Sequence, residues 1–348
     1  MIDQKYPIPT GYLFTTKGSR GSLEALSIGD YGKSANIKAD FLGFDKELSQ
    51  GVPNQATKPL SEKWVITLST QYGCTQKCTF CDVPNISFNG NATYDDLRDQ
   101  FFDAISLFPK VRYTDRLNIH FARMGEPILN NNVFSFARRL QLEKHIFQEK
   151  TGLRAEVIHP VLTTSLPKRY GRVEEKLQEW CEIKNGLYHG QAGLQFSINS
   201  TDEEQRRIMF NGGSLSLVEF SKIAEDLPSP LSRKYCLNFA YSTDFIIDAG
   251  RLLDLFNPAK FMVKITPIHN NQSCRENGIS TVGGYDSYAP YQKPEKELKE
   301  AGFDVLVFVP SMDEEQGLVT CGNLVLGGGE IQAESVVNIQ GNSNVSLT

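Results

Sequence analysis

The chain has 348 residues, of which 40% are hydrophobic and 22% charged, and a formal net charge of −5. That length can bury a full-sized core, and the composition is that of a globular protein rather than a disordered or fibrous one. The acidic balance argues against indiscriminate binding to duplex nucleic acid, which calls for a basic excess on at least one face, and no apolar run approaches the ~20 residues of a membrane span.

Met1 to Thr10 carries an acid, a lysine and two prolines but no apolar signal-peptide core, so a cytoplasmic location is expected. Ser22 to Ile28 and Ala35 to Phe44 read as strands joined by the turn-rich Gly29-Asp30-Tyr31-Gly32, a small β extension. Gln50 to Leu60, with Pro53 and Pro59, reads as a linker. From Lys63 the pattern alternates. Trp64 to Thr70 is a strand that runs into a cysteine-rich loop, and a helix follows Thr93, whose hydroxyl can cap it, with Asp95 and Asp96 near the positive end of its dipole. Further strands are expected at Leu117 to Phe121, Ala155 to Leu162, Gly193 to Ile198, Lys234 to Tyr241, Phe261 to Ile265 and Val305 to Val309. Helices are expected at Val133 to Phe147, Val173 to Ile183, Leu215 to Ala224, Arg251 to Phe256 and Lys293 to Ala301.

Strands alternating with helices imply parallel βαβ units with right-handed crossovers. About six such units predict a partial (β/α)6 barrel whose chemistry lies in the loops at the C-terminal strand ends. The expected organisation is a β extension and linker over 1–60, a barrel core over 61–332, and a polar tail over 333–348.

Seven cysteines stand at 74, 78, 81, 181, 236, 274 and 321, an odd number with three inside eight residues. That is poor material for a disulfide framework. In Cys74-Thr-Gln-Lys-Cys78-Thr-Phe80-Cys81 the spacings are four and three. Thiolates are the soft ligands that iron–sulfur clusters require. Three protein ligands to a [4Fe–4S] cluster leave one iron open to a chelating molecule such as S-adenosylmethionine (SAM), whose carbon–sulfur bond an electron from the cluster can break. Structural zinc is the competing reading, but it wants four protein ligands, and no second Cys-x-x-Cys or His-x-x-x-His pair completes such a site.

This spacing, with an aromatic residue before the last cysteine, resembles the radical SAM superfamily. From about Ser22 to Gly327 the chain resembles the RlmN/Cfr-type RNA adenine methyltransferases, most clearly in short motifs. Ser69-Thr70-Gln71-Tyr72-Gly73-Cys74 resembles their approach to the cluster. Met124-Gly125-Glu126-Pro127 with Leu129-Asn130 resembles their Gly-Glu motif, which implies that Gly125 and Glu126 hold the amino group of SAM. Leu162-Thr163-Thr164-Ser165 and Phe196-Ser197-Ile198-Asn199 resemble two further SAM-binding strand ends, with Asn199 where the family has His. In Ile265-Thr266-Pro267-Ile268-His269-Asn270, His269 stands at a position where the family uses Asn. Thr320-Cys321-Gly322-Asn323-Leu324 resembles the segment carrying the family's methyl-bearing cysteine, which implies that role for Cys321. The cysteine that resolves the protein–RNA bond lies seven residues before the first cluster ligand in the family; here that position is Thr67, and Cys274 is the substitute to test.

Each residue also has a plainer reading. Glu126 could be a helix-start acid, Cys321 and Cys274 inert buried thiols, Phe80 core rather than adenine packing, and His269 a hydrogen-bonded structural histidine. Thr163, Ser165 and Ser197 are ordinary strand-end hydroxyls apart from the resemblance, and His120 and His159 read as satisfied core residues. The resemblance implies an RNA substrate and a flavodoxin- or ferredoxin-type electron donor, and a monomer is expected. About 60 residues precede the core, fewer than the family's helical RNA-binding extension needs. The alternative function is a radical SAM enzyme of another reaction type, abstracting hydrogen from a nucleotide or peptide without methyl transfer.

Overall fold

A computed structural model describes residues 1–8, 10–31, 57–280 and 288–309. The expected strand at 35–44, most of the linker, Cys321 and the tail at 333–348 lie outside the described residues. The described strands, β1 (Ile2–Ile8), β2 (Gly11–Gly18), β3 (Gly21–Tyr31), β4 (Thr57–Lys58), β5 (Lys63–Leu68), β6 (Tyr113–Phe121), β7 (Arg154–Thr164), β8 (Gly193–Ser197), β9 (Tyr235–Tyr241), β10 (Phe261–Pro267) and β11 (Asp304–Val307), form one sheet in the order β1-β2-β3-β5-β6-β7-β8-β9-β10-β11, with β4 on β3. From β5 to β11 every neighbouring pair is parallel. These strands are six βα units closed by a seventh strand. No pairing joins β11 back to β5 among the described residues, so the barrel is open.

The crossovers carry α1 (Tyr94–Ser106), α2 (Asn131–Leu142) with α3 (Lys144–Thr151), α4 (Val173–Glu182), α5 (Glu203–Met209) with α6 (Leu217–Asp226), α7 (Ala249–Leu255), and α8 (Gln272–Glu276) with α9 (Ala289–Glu300). Thr93 and Asp96 form a reciprocal capping box at the start of α1, a device contributing about 1 kcal/mol. The single helix expected from Val133 to Phe147 is two, because Glu143 (φ −107°, ψ 25°) interrupts it. No helix among the described residues is long and apolar enough to cross a membrane.

Alternation along the strands sorts the core. Trp64, Ile66, Leu68, Leu117, Ile119, Phe121, Leu194, Phe196, Leu237 and Val263 are buried and pack in one apolar core, where Phe121 meets Trp180 and Phe196 meets Phe220 edge-on or tilted. The opposite face of the same strands, which lines the barrel lumen, carries polar groups such as Arg116, His120, His159, Ser197, Asn238 and Lys264. Packing against the helices is apolar, and the lumen face is polar.

The N-terminal extension is larger than its sequence pattern indicates. β1 and β2 carry no clean alternation, because β2 is buried on both faces: Leu13 packs with Leu26 and Ile28 while Phe14 joins the main core. The expected turn at Gly29-Asp30-Tyr31 instead extends β3, pairing Gly29 with Trp64 and Asp30 with Lys58. Thr57 and Lys58, expected in the linker, pair with β3. The extension is bonded to the core from several directions. Trp64 Nε1 donates to Ser27 Oγ (3.0 Å), Ser19 donates to both Asp96 oxygens (2.8 and 2.9 Å), and Ser69 Oγ donates to the Glu24 carbonyl.

Candidate active site

The loop after β5 is fixed before it reaches the first cysteine. Ser69 N donates to Gln100 Oε1 (2.9 Å) and Thr70 N to the Met124 carbonyl (2.7 Å). Gly73 has φ +74°, and a Cβ there would come within 2.9 Å of two backbone carbonyl oxygens, those of Ile86 and Ser87, so only glycine fits this turn. Beyond it, Thr79 N donates to the Met209 carbonyl at the end of α5 (2.9 Å), Asn271 Nδ2 to the Phe80 carbonyl (2.9 Å) and Ser273 N to Asp82 Oδ1 (2.8 Å). Crossovers far apart in sequence thus clamp the cysteine loop at the C-terminal ends of the strands.

Cys74, Cys78 and Cys81 are partly exposed, yet their thiols feel a desolvated setting. Burial pushes Cys74 up to about 12, with the nearby charges of Glu126 and Cys81 adding to it. Burial and the neighbouring Cys81 and Cys74 push Cys78 well above its ordinary value. Cys81 is pushed up to about 11 by burial and Asp82, with Arg123 pulling the other way. Among the described residues no three His, Cys, Asp or Glu side chains converge closely enough to hold a single ion. A [4Fe–4S] cube presents its irons at separate corners, so its thiolates stand farther apart than ligands of one ion. Charge on a neighbouring thiolate disfavours ionisation of Cys74 and Cys78, and Arg123 partly offsets burial at Cys81, so this donor set suits a cationic iron–sulfur group that would neutralise its thiolates.

Beside this loop, Gly125 has φ +97°, and a Cβ there would meet Gln71 Cβ at 2.5 Å. Glu126 is buried; its Oε2 accepts from Ser165 N (2.8 Å) and Ser165 Oγ (2.7 Å), and its own N donates to Gln71 Oε1 (2.9 Å). Burial raises its carboxyl, and bonds from Ser165, Thr164 and Ile128 partly offset that rise. Asn199 lies just past β8 with φ +64°; its Oδ1 accepts from Ala240 N (3.0 Å), while its buried Nδ2 has no hydrogen-bond partner among the described residues. His269 is buried, and burial with the Arg123 charge lowers its ring to about 4, so it is neutral at ordinary pH.

The other expected residues are placed less closely. Thr163 and Ser197 are half-buried on the lumen face. Ile198 is fully buried in the apolar core, and its backbone is taken by Asn238 O and Arg206. Phe80 packs edge-on against Phe210 (centroids 5.5 Å apart) in a small cluster with Cys274. Cys274 is itself fully buried in α8, where burial pushes its thiol up to about 12. Cys181 and Cys236 are buried, as their apolar settings indicate.

Three contributors escape a reading of the sequence. Gln71 fixes the Glu126 backbone. Arg123 forms a buried ion pair with Glu24 of β3, so the extension reaches the site. Arg206, legible only as half of a basic pair with Arg207, is 2% exposed and donates to the carbonyls of Ser197 (2.8 Å), Ile198 (2.7 Å) and Leu215 (3.1 Å). Its guanidinium lies over the Phe210 ring (4.7 Å), and its buried Nη2 has no hydrogen-bond partner among the described residues. The signal available was helical spacing, which turns Arg206 inward and Arg207 out to Glu204.

No family model matches the chain. A probable dual-specificity RNA methyltransferase RlmN of Petrotoga mobilis is 23% identical over 245 residues, covering 70% of this chain and 60% of that protein. A second, from Chlorobaculum tepidum, is 36% identical over 181 residues, 51% of this chain and 44% of that protein. A radical SAM methyltransferase structure from Sphaerobacter thermophilus superposes with a TM-score of 0.58 over 88% of this chain and 76% of that one, at 14% identity. The chain resembles the RlmN-type radical SAM methyltransferases. It spans 60% and 44% of the length of these two curated relatives, and it shares the α/β fold with the solved methyltransferase.

Proposed function

We propose that this chain is a radical SAM methyltransferase acting on an adenine carbon in RNA. The observation that carries the reading is the placement of Cys74, Cys78 and Cys81 at the barrel mouth beside Gly125 and Glu126. Held by these thiolates, a [4Fe–4S] cluster supplies the electron that cleaves SAM. Glu126, its Oε2 aimed by Ser165, takes the cationic amino group of SAM, and the turn at Gly125 brings the backbone close. The Nδ2 of Asn199, without a partner among the described residues, offers a donor to the same molecule, with Thr163, Ser165, Ser197 and His269 around it and Phe80 against the adenine, while Ile198, enclosed in the apolar core, supports the strand end from behind. Cys321 carries the methyl group. Exposed Lys77 on the cysteine loop, Arg169 in the turn after β7 and Arg275 on α8 lie at the same end of the barrel and offer phosphate contacts to RNA. A flavodoxin- or ferredoxin-type protein supplies electrons to a cytoplasmic monomer.

The test is mass spectrometry of the iron-reconstituted, oxygen-free protein after incubation with SAM. A methyl group on Cys321, absent from Cys321→Ala, with S-adenosylhomocysteine and 5′-deoxyadenosine both formed, supports the proposal. A second reading, hydrogen abstraction without methyl transfer, is favoured by Thr67 at the resolving position and by the buried, high-pKa Cys274. An unmodified Cys321 with 5′-deoxyadenosine still formed selects that reading.

A further inference from the structure

At the opposite end of the barrel from the cysteine loop, the lumen gathers cations without matching anions. Arg116 Nη2 and Arg233 Nη1, from the N-terminal ends of β6 and β9, converge on one acceptor, His159 Nδ1, at 3.3 and 3.2 Å. Lys264 of β10 faces the same space and meets only the Phe308 ring among its described contacts (5.5 Å). None of these three cations pairs with a carboxylate among the described residues. The carboxylate that faces them, Asp30 of β3, is bonded to Lys63. The remaining groups here are neutral. Burial together with the surrounding cations lowers His120 and His159 to about 3, and burial pushes the Cys236 thiol up to about 11.

Like charges confined in a poorly hydrated space repel unless an anion joins them. The like charge is felt directly: burial and Arg233 lower Arg116 to about 10, with Asp30 only partly offsetting them. Exposed Arg233 stands at the rim, so the space communicates with solvent.

We propose that this end of the lumen is a binding site for a phosphate-type dianion. The charge count sets the class. Three uncompensated cations exceed what one carboxylate neutralises, and two guanidinium forks meeting at one point suit an anion with several oxygens on one centre, with Lys264 as the added point charge. His159 Nδ1 lies within hydrogen-bond distance of both forks and brings them to one point. The site is independent of the methyltransferase reading, because it uses none of the cysteine-loop residues.

Isothermal titration of the full, reconstituted chain with inorganic phosphate tests it. Saturable binding is expected, weakened at least tenfold in Lys264→Met and in Arg233→Gln. Lys264→Met removes a charge with no described ion-pair partner and keeps the stem's volume, so it folds; its melting temperature without phosphate rises, and the further rise that phosphate gives the wild type is lost. Arg233→Gln removes the fork at the exposed rim together with its bond to His159. Adenosine 5′-monophosphate and adenosine separate the sources. Equal affinity for phosphate and the monophosphate identifies a free oxyanion as ligand. A tighter monophosphate with no binding of adenosine identifies a phosphomonoester. Absence of saturable binding, unchanged affinity in both variants, or an equal stabilisation by chloride at matched ionic strength overturns the proposal.

Discussion

Arg206 offers a test of how the site is built, because its contribution can be worked out from its contacts. It is fully enclosed and spans three carbonyls, two at the end of β8 and one at Leu215 before α6, while stacking on Phe210. Hydrogen bonds from a charged donor contribute roughly 1.5–3 kcal/mol each, and a desolvated cation over a ring about 2 kcal/mol. Burying the guanidinium costs several kcal/mol in return, and that desolvation lowers its own pKa to about 10. Arg206→Met removes both the gain and the cost but leaves three buried carbonyls, at about 1–3 kcal/mol for each that finds no water. The expected net loss is ~2–4 kcal/mol. Arg206→Lys keeps the charge on one nitrogen that cannot bridge carbonyls on two segments, so it loses nearly as much. Urea unfolding followed by far-UV circular dichroism reads both, with the wild-type slope converting midpoint to free energy. A Met variant within about 1 kcal/mol of wild type, or a Lys variant of full stability, would refute the fork argument.

Gly125→Ala is expected to cost ~2–5 kcal/mol, since a left-handed backbone disfavours alanine by about 1–2 kcal/mol and the new methyl overlaps the Gln71 stem and backbone N, which overpacking costs put at roughly 1–3 kcal/mol more. Denaturation together with SAM binding by equilibrium dialysis would show both losses, and an alanine variant that keeps both would contradict the proposed close approach. Glu219 caps α6 through Ser216, and that backbone bond, followed by Lys168, lowers its carboxyl from 4.5 to about 2. Its folded pKa is depressed, so its stabilising contribution is present above 4.5 and disappears as pH falls from there towards 2. Because it is half-exposed the effect is small. Glu219→Gln should flatten the acid limb of a melting-temperature profile over that window while leaving the profile at neutral pH with the same slope; an unaltered acid limb would remove Glu219 from the account.

The repeating pattern of strand and helix was legible from Lys63 onward, because periodicities of two and 3.6 are local properties of the chain. The cysteine spacing was legible for the same reason, since all three thiols fall within eight residues. So was the Thr93 cap, whose partner Asp96 is one helical turn away. Less local features escaped. β2 went unrecognised because both of its faces are buried, which erases alternation, and the break at Glu143 left no glycine or proline to mark it. Arg206 and Arg207 are adjacent letters with opposite fates, one enclosed among carbonyls and the other on the surface, and only the packing of α5 against β8 separates them. The Glu24–Arg123 pair joins residues 99 positions apart, and the lumen cations come from strands that share no sequence neighbourhood. The sequence by itself determined the fold class and the thiol motif, whose causes act within a turn or a loop. The tertiary structure decided which charges are buried, which are paired and which face one another, because burial and Coulomb energy depend on distance in space.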